Sequence, residues 1–444
     1  MALSKIITSR HNRRTTLIPF PGTVDDGSTL SLDFTTGVLD PRLTFTRSTS
    51  GTYIGSDGLV KTASTNVARF DHDPTTLAPR GLLIESSSIN YMLESTSLSG
   101  YSNTNMVAVS SGSETDPEGN ANSAKQIYAT SGASAYHGFF RSTTAGTNTQ
   151  ITISIWAKAR NYTFLFLSDL ATGRASVRFN LNTGATDNNF GAGFVSAKAT
   201  PFPNGWWRCE MVVNVTASTA YAWSFGGTPS GATLNGFGTQ YAGTGNAADG
   251  IYCYGFQVEA GSGASSYIPT GASQGSRAAD KMSMTDISTM QWNQTAGTFA
   301  LHMDVAAETN TSAFPAFMGM YTATPVRVVR FLLNNSSGTN PQIGNDTWTA
   351  TPTQILASLV TRSTAPTAFK FAVSLSNTGQ TVNQVVNAGS VTTASGTGTM
   401  QTPTRFLWHQ DPSAGDSEYF PIHIRSLKYW PTTLPNAQLQ ALTT

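Results

Sequence analysis

Apolar and polar residues alternate along several short stretches of this chain, most clearly in the run QITISIWAKA at residues 150–159. Ile151, Ile153 and Ile155 fall on one side of an extended chain, because successive side chains of a β-strand point to opposite faces. The intervening residues fall on the other side. This two-residue period predicts a β-strand.

Further strand-length runs follow, separated by clusters of Gly, Asn, Pro and Ser that are typical of turns. The first series comprises YTFLFLSDL (162–170), ASVRFNL (175–181), WWRCEMVVNVTA (206–217), AYAWSFGG (220–227) and IYCYGFQVEAG (251–261). Short strands at such spacing indicate a sandwich or a barrel. We place a first β-sandwich domain at residues 86–281.

A second series of strands begins after a connector that contains Pro269. Its runs are GTFALHMDVAAE (297–308), RVVRFLLNN (327–335), PTQILASLV (352–360), FKFAVSLSNTGQTVNQVVNAG (369–389), TRFLWHQ (404–410) and FPIHIRSLKYWPTTL (420–434). A short helical turn beginning near Pro435 closes the chain, since proline is tolerated at a helix start. The prediction is an all-β fold with two antiparallel β-sandwich domains in tandem, the second at residues 282–444.

Two segments precede these domains. Residues 31–85 contain short apolar pairs between turn signals, and Asp57-Gly58 is a strong hairpin cue. We predict a hairpin-rich connecting segment without a large core of its own.

Residues 1–30 carry Lys5, Arg10, Arg13 and Arg14 and no acidic residue before Asp25. Closely spaced prolines disfavour a helix or a central strand here. Two interpretations remain: a disordered tail, or an extended attachment arm that orders against an acidic partner surface.

Only 11% of residues are charged and the formal net charge is +1, against about 25% charged residues in ordinary soluble domains. Such a surface argues against nucleic-acid binding, which needs a basic face. The sequence shows neither a signal peptide nor an apolar run of about 18 residues, so we expect no membrane insertion. Cys209 and Cys253 could pair, but buried free thiols fit a chain made in a reducing cytoplasm.

No motif for catalysis or metal binding is recognisable, and we expect no cofactor and no metal. Asp71-His72-Asp73 is the tightest polar cluster, and a solvated turn is favoured over a metal or acid–base site. His302 and His423 alternate with apolar neighbours and are interpreted as strand histidines on a polar or partly buried face. A carboxylate pair for glycoside cleavage could still assemble in space. The sequence favours a non-enzymatic protein.

Aromatic residues in polar, turn-rich stretches are the candidate ligand-binding residues: Tyr136, with His137, Tyr241 and Trp348. An aromatic ring can stack on a sugar while nearby amides and hydroxyls bind its hydroxyl groups. The alternative is that these rings cover loops or subunit contacts.

The segment from LDFTTGVLDPRLTFTR to PRGLLIE, within residues 31–85, resembles the opening of a family of bacteriophage and prophage structural proteins. ISIWAKA, NGWWRCEMVVNVT, YCYGFQVEAGSGASSYIPT and SRAADKMSM are similar to later pieces of that family. Its members resemble carbohydrate-binding-module jelly rolls, and the ending IHIRSLKYWPTTLPNAQLQALTT resembles a concanavalin A/laminin G-like jelly roll. The resemblance covers about residues 31–444.

The resemblance implies a virion-surface protein: a tail fibre, spike, head fibre or decoration protein that attaches the particle to its host. It implies a homotrimer whose partners are other virion proteins (capsid, portal or tail), reached through the N-terminal arm, and host cell-surface polysaccharide. The alternative that it leaves open is a virion-associated polysaccharide depolymerase.

Overall fold

The computed structural model of the chain describes residues 26–112, 114–144, 150–170, 175–215, 220–230, 232–235, 238–305, 316–323, 327–334, 342–348, 354–361, 368–378, 380–397, 400–408, 410 and 421–444. Regular structure there is almost entirely antiparallel β-sheet. This confirms the prediction of an all-β fold built from sandwich domains. The arm residues Lys5, Arg10, Arg13 and Arg14 lie outside the described residues.

Six strands and a 3₁₀ turn precede the first sandwich. They are β1 (Leu30–Asp33), the 3₁₀ turn Phe34–Thr36, β2 (Thr44–Thr46), β3 (Gly51–Ile54), β4 (Val60–Ala63), β5 (Arg69–His72) and β6 (Pro79–Ile84).

The next fifteen strands follow one another along the chain. They are β7 (Ser88–Asn90), β8 (Ser102–Thr104), β9 (Met106–Ser110), β10 (Lys125–Ala129), β11 (Gly132–Thr144), β12 (Gln150–Ala159), β13 (Phe164–Asp169), β14 (Ser176–Asn180), β15 (Thr186–Phe190), β16 (Phe194–Pro201), β17 (Trp206–Asn214), β18 (Ala220–Thr228), β19 (Thr233–Asn235), β20 (Gly238–Gly243) and β21 (Ile251–Ala260), with a 3₁₀ turn at Pro203–Gly205.

The N-terminal sandwich consists of two sheets formed by β8 to β21. One sheet has the order β16-β17-β12-β21-β10-β9, and the other has the order β15-β14-β13-β18-β11-β20-β19, with β8 paired to β11. Ile151, Ile153 and Ile155 are buried in the core between the sheets, as their alternation predicts.

The remaining strands are β22 (Gly275–Arg277), β23 (Lys281–Met284), β24 (Ala296–Val305), β25 (Ala316–Tyr321), β26 (Arg327–Asn334), β27 (Gln342–Trp348), β28 (Gln354–Thr361), β29 (Ala368–Ser376), β30 (Thr381–Val386), β31 (Thr392–Ser395), β32 (Arg405–Trp408) and β33 (Ile422–Trp430), with a 3₁₀ turn at Ile287–Met290. Helix α1 (Asn436–Leu442) follows Pro435, as predicted, and buries Leu439 against β29 and β30.

The C-terminal sandwich draws strands from both ends of the chain. Its first sheet has the order β31-β30-β29-β24-β33-β6-β5, with β1 also paired to β33. Its second sheet has the order β2-β23-β32-β25-β26-β27-β28. Sheet membership changes between Arg277, whose strand β22 pairs with β7, and Lys281, whose strand β23 pairs with β2.

The segment at residues 31–85 is therefore more than the connector that its sequence predicts. Strands β1, β2, β5 and β6 complete the sheets of the C-terminal sandwich, and Leu30, Leu82 and Ile84 of these strands are buried in the core of that sandwich. Hairpin β3–β4 packs differently, because Val60 joins Trp156 in a cluster on the outer side of the N-terminal sandwich. The segment supplies core to one sandwich and covers the other.

A buried ionic network holds this segment to the connector between the sandwiches. Asp280 binds the guanidinium groups of both Arg47 (3.0 Å) and Arg69, and Glu85 lies 2.8 Å from Arg69 and 3.4 Å from Arg277. All five side chains are at most 3% exposed. Burial opposes ionisation of Glu85, but the charges of Arg277 and Arg69 outweigh it and hold its pKa far below the usual range.

Helices contribute little to the described residues, where none is long and apolar enough to cross a membrane. The two cysteines are free and buried on β17 and β21, which β12 separates. Burial raises the pKa of Cys253 to about 12 and that of Cys209 well above its usual value, so neither thiol is ionised near neutral pH.

Candidate functional site

The described residues enclose a cleft of about 440 Å³ between the two sandwiches. One wall is the outer face of β12, β16 and β17 of the N-terminal sandwich. The opposite wall is the outer face of β5, β6, β24 and β33. Side chains from both walls, from hairpin β3–β4 and from the connector line the cleft, among them Tyr53, Asp71, His72, Arg80, Glu85, Trp156, Lys198, Phe202, Arg208, Glu210, Ser265, Tyr267, Asp304, His423 and Arg425.

Arg208 and Trp156 form the centre of the N-terminal wall. They lie directly opposite each other on β17 and β12, and the Arg208 guanidinium carbon is 4.7 Å from the centre of the indole ring. Arg208 Nη2 donates hydrogen bonds to the Ser265 carbonyl (2.8 Å) and to Ser154 Oγ (3.3 Å). These contacts hold a guanidinium flat on an aromatic ring, an arrangement stabilised by cation–π attraction.

Asp304, His423 and Arg425 form the centre of the C-terminal wall. Asp304 on β24 is the register partner of His423 on β33, so their side chains share a face of the sheet. Arg425 Nη2 donates to Asp304 Oδ2 at 3.2 Å, and Arg80 Nε lies 3.6 Å from the same oxygen. A register shift between His302 and Met303 leaves Arg425 without a register partner on β24, and its side chain reaches Asp304.

Asp71 and His423 make a buried hydrogen-bonded pair. His423 Nε2 and Asp71 Oδ2 are 2.7 Å apart, and both side chains are less than a tenth exposed. Asp71 Oδ1 accepts a hydrogen bond from the backbone N–H of Ile54 at 2.5 Å. The carboxylate therefore fixes the ring and joins hairpin β3–β4 to β33.

Five buried polar atoms of side chains that line the cleft have no hydrogen-bond partner among the described residues. They are Trp156 Nε1, Asp304 Oδ1, His423 Nδ1, Arg208 Nε and Arg425 Nε. A buried polar group without a partner is unfavourable by about 1–3 kcal/mol, so such groups usually bind water or a ligand. Donors and acceptors on facing walls, with aromatic rings nearby, suit a polar ligand that carries several hydroxyl groups.

The cleft, as lined by the described residues, holds its carboxylates in contact with other side chains. Each of its carboxylates binds a cation or a histidine: Asp71 binds His423, Glu85 binds Arg69 and Arg277, Glu210 binds Lys198 (3.4 Å), and Asp304 binds Arg425. Across the described residues, no three His, Cys, Asp or Glu side chains are grouped as a metal site.

Two of the residues predicted to bind sugar are buried in the N-terminal sandwich. His137 and Tyr241 are 2% and 7% exposed and stack on each other with ring centres 4.1 Å apart. Tyr241 donates its hydroxyl hydrogen to the Gly227 carbonyl (2.9 Å), and burial lowers the pKa of His137. Because the two rings cover each other, this pair does not offer the open stacking surface that the sequence predicts.

Tyr136, the third predicted sugar-binding residue, does not line the cleft. It is half-buried on β11, and its carbonyl accepts a hydrogen bond from Asn105 (3.0 Å). The pairing of β11 with β20 places Tyr136 and His137 next to the strand of Tyr241. Trp348, the fourth predicted residue, ends β27, where its backbone pairs with Gln354.

The Asp71-His72-Asp73 cluster is only partly the solvated turn that the sequence favours. Asp73 is a turn residue whose carboxylate accepts the backbone N–H groups of Thr75 and Thr76. Asp71 is buried and belongs to the cleft. His302 and His423 lie on strands, half-buried and buried as predicted, but the role of His423 opposite Asp304 was missed. Its signal was the alternation in IHIRS, which puts His423 and Arg425 on one face.

Comparison with known proteins gives partial structural likenesses. No protein-family model and no curated protein matches the chain. The CBM40 module of the Ruminococcus gnavus IT-sialidase is similar over 34% of this chain and 84% of its own, with 11% identity and a TM-score of 0.27. The receptor-binding domain of botulinum neurotoxin C/D mosaic serotype is similar over 37% of this chain and 40% of its own, with 8% identity and a TM-score of 0.30.

A third solved structure is the NanB sialidase of Streptococcus pneumoniae. It is similar over 36% of this chain and 26% of its own, with 13% identity and a TM-score of 0.28. Each likeness is confined to about a third of the chain, so function is inferred from the cleft.

Proposed function

We propose that this protein is a non-catalytic glycan-binding protein of a bacteriophage particle surface, and that host polysaccharide binds in the cleft between the sandwiches. The observation that carries the glycan-binding part is the cleft, on whose facing walls lie the five side chains with unpartnered polar atoms, Trp156, Arg208, Asp304, His423 and Arg425. These side chains offer one carboxylate acceptor, two guanidinium donors, one imidazole and one indole. Sugar hydroxyl groups both donate and accept, so they match this mixture.

A glycan array with purified protein tests this proposal. Asp304→Asn should weaken binding about tenfold, since a hydrogen bond to a charged group contributes about 1.5–3 kcal/mol. Tyr136→Ala is the matched control, because Tyr136 lies outside the cleft, and its binding should stay unchanged. Weaker binding by Tyr136→Ala with none lost by Asp304→Asn would move the site to the N-terminal sandwich, which contains three of the four sugar-binding residues predicted from the sequence.

The particle-surface part of the proposal is supported by the resemblance of residues 31–444 to phage structural proteins. We propose attachment through the N-terminal arm to a capsid, portal or tail protein, with Lys5, Arg10, Arg13 and Arg14 binding an acidic surface. Deleting Met1–Pro21 should abolish incorporation into particles, measured by mass spectrometry of purified virions. Equal incorporation of the deleted and full-length chains would exclude the arm.

A homotrimer is part of the same proposal. Light scattering should give about three times the chain mass of 47.0 kDa. A mass of one chain would contradict the trimer and leave glycan binding untouched.

The depolymerase alternative would need a carboxylate pair free to act as acid and base or nucleophile. The cation and histidine partners of the four cleft carboxylates favour binding over cleavage. Incubation with host polysaccharide should therefore release no oligosaccharide. Release that Asp304→Asn or Asp71→Asn abolishes would establish an enzyme.

A further inference from the structure

The charges on the two cleft walls are not evenly compensated. Arg208 forms no ion pair with a carboxylate of the described residues, and its contacts are the Trp156 ring, a serine hydroxyl and a backbone carbonyl. The nearest acidic residue on its strand, Glu210, binds Lys198 and the backbone N–H of Ala264 instead. A full positive charge thus faces the cleft with only neutral partners.

The opposite wall contributes two more guanidinium groups. Arg80 and Arg425 both approach one oxygen of Asp304, so these two groups share one carboxylate. Arg425 Nη1 donates a hydrogen bond to the Pro79 carbonyl, and Arg425 Nε has no partner among the described residues. Asp71 hydrogen-bonds His423, and Glu85 binds the buried arginine network.

The Arg208 guanidinium, which has only neutral partners among the described residues, favours an anion in the cleft. Guanidinium groups bind carboxylate and phosphate strongly, because their planar N–H donors match the oxygens of these groups. A partly enclosed cleft strengthens the attraction relative to bulk water. A neutral glycan would leave the charge of Arg208 unmatched.

We infer that the cleft selects an anionic glycan, whose carboxylate or phosphate binds Arg208 while its hydroxyl groups bind Asp304 and His423. This inference rests on the proposed glycan-binding function and names its ligand class. Arg208 sets the specificity in this scheme, and Arg80 with Arg425 supports it from the facing wall.

The test is an array of bacterial polysaccharides, each presented native, carboxyl-reduced and dephosphorylated with hydrofluoric acid. Every glycan that binds should lose at least tenfold in affinity after one of the two treatments, and which treatment does so identifies the anion as carboxylate or phosphate. Equal binding of native and neutralised forms would overturn the inference and leave glycan binding standing. Binding of no glycan at all would overturn glycan binding and the inference with it.

Arg208→Gln should reduce affinity for the native glycan at least tenfold and affinity for its neutralised form by a clearly smaller factor, because only the native form carries the anion. Arg141→Gln is the matched control, because Arg141 also lies on an aromatic ring, Tyr101 at 5.4 Å, and donates to a backbone carbonyl, but does not line the cleft. Arg208→Lys, which keeps the charge, should keep part of the preference.

Arg80→Gln on the facing wall provides a second variant if Arg208→Gln fails to fold, as judged by circular dichroism and thermal unfolding. Arg80→Gln should reduce the ratio of the affinity for native glycan to that for neutralised glycan by several-fold. If a folded Arg208→Gln variant prefers the native over the neutralised glycan as strongly as the unmodified protein does, the role of these arginines is overturned. If Arg208→Gln does not fold, an unchanged preference in Arg80→Gln has the same consequence.

Discussion

The two sandwiches have the same architecture but collect their strands differently. The sheets of the N-terminal sandwich use β8 to β21 in one continuous stretch of chain, from Ser102 to Ala260. The sheets of the C-terminal sandwich combine strands from residues 30–84 with strands from residues 281–430. One is a local unit, and the other exists only after distant parts of the chain have met.

This difference in how the strands are collected explains the position of the buried ionic network. A contiguous sandwich has short connections between neighbouring strands, whereas the C-terminal sandwich must hold a remote segment in place. Arg47, Arg69 and Glu85 come from that segment or its end, and Arg277 and Asp280 come from the connector. A buried network of this kind fixes one register of assembly, because a misplaced segment would leave charges buried and unpaired.

The largest difference between the two sandwiches should appear when they are produced as separate fragments. A fragment of residues 86–281 should unfold cooperatively, whereas a fragment of residues 275–444 should not fold. The latter lacks seven core side chains, Leu30, Leu32, Phe34, Leu43, Phe45, Leu82 and Ile84. Their burial contributes roughly 10–20 kcal/mol at about 1.5–3 kcal/mol each, which exceeds a typical net stability of about 5–15 kcal/mol.

Thermal unfolding followed by circular dichroism measures both fragments. Joining residues 26–85 to the end of the 275–444 fragment through a Gly/Ser linker should restore its transition, because Thr29 already hydrogen-bonds Tyr429. A cooperative transition in the unjoined fragment would show that the C-terminal sandwich is independent after all.

Removing one member of the network should have the next largest effect. Glu85→Ala leaves Arg69 and Arg277 without their shared carboxylate and should lower the free energy of unfolding by about 3–5 kcal/mol. Glu114→Ala in the N-terminal sandwich is the comparison, since its pair with Lys158 is 17–25% exposed and should contribute less than about 1 kcal/mol. Urea unfolding measures both, and similar losses would count against a special role for the network.

Truncating a core side chain should lower the thermal unfolding transition of the sandwich to which that side chain belongs. Leu82→Ala and Leu167→Ala each remove a fully buried side chain, from the C-terminal and the N-terminal core respectively, and each should cost about 2–5 kcal/mol. In differential scanning calorimetry, Leu82→Ala should lower the transition of the C-terminal sandwich although residue 82 precedes the N-terminal one. A shift of the N-terminal transition instead would contradict the assignment of β6.

Mild acid should produce the smallest effect. The pKa of Glu85 is lower in the folded protein than in the unfolded chain, so its stabilisation is present above the unfolded value and is lost as pH falls through the folded one. Between pH 7 and pH 4 the loss amounts to roughly 0.6 kcal/mol, given an unfolded pKa of about 4.3. Glu85→Gln should remove that part of the pH dependence of the free energy of unfolding, measured by urea unfolding at each pH. The same pH dependence in Glu85→Gln as in the unmodified protein would contradict this role of Glu85.

The sequence predicts individual strands well, because a two-residue period depends only on neighbouring positions. Ile151, Ile153 and Ile155 show this, as does the terminal helix after Pro435. It does not predict the partner of β6, because pairing of Leu82 with Ile424 joins positions with no local relation. The segment at residues 31–85 therefore looked like a connector.

The cleft was missed for the same reason. Arg208 and Trp156 sit in runs that predict strands, and their polar or aromatic neighbours give no sign that they face Asp304 and His423 of another domain. Tyr136, Tyr241 and Trp348 are predicted to bind sugar because they lie in polar stretches of sequence. The composition of a stretch does not reveal that the His137 ring covers the Tyr241 ring.

Strand β33 has a consequence for the time at which the molecule is complete. It lies between β24 and β6 and also pairs with β1, yet it is synthesised long after β1 and β6. At about 5–20 residues per second, the more than 300 residues between β6 and β33 take on the order of 15–70 s to synthesise. Strands β1 and β6 therefore wait that long for β33 while the N-terminal sandwich folds beside them, so they pair with it only after that sandwich has been made.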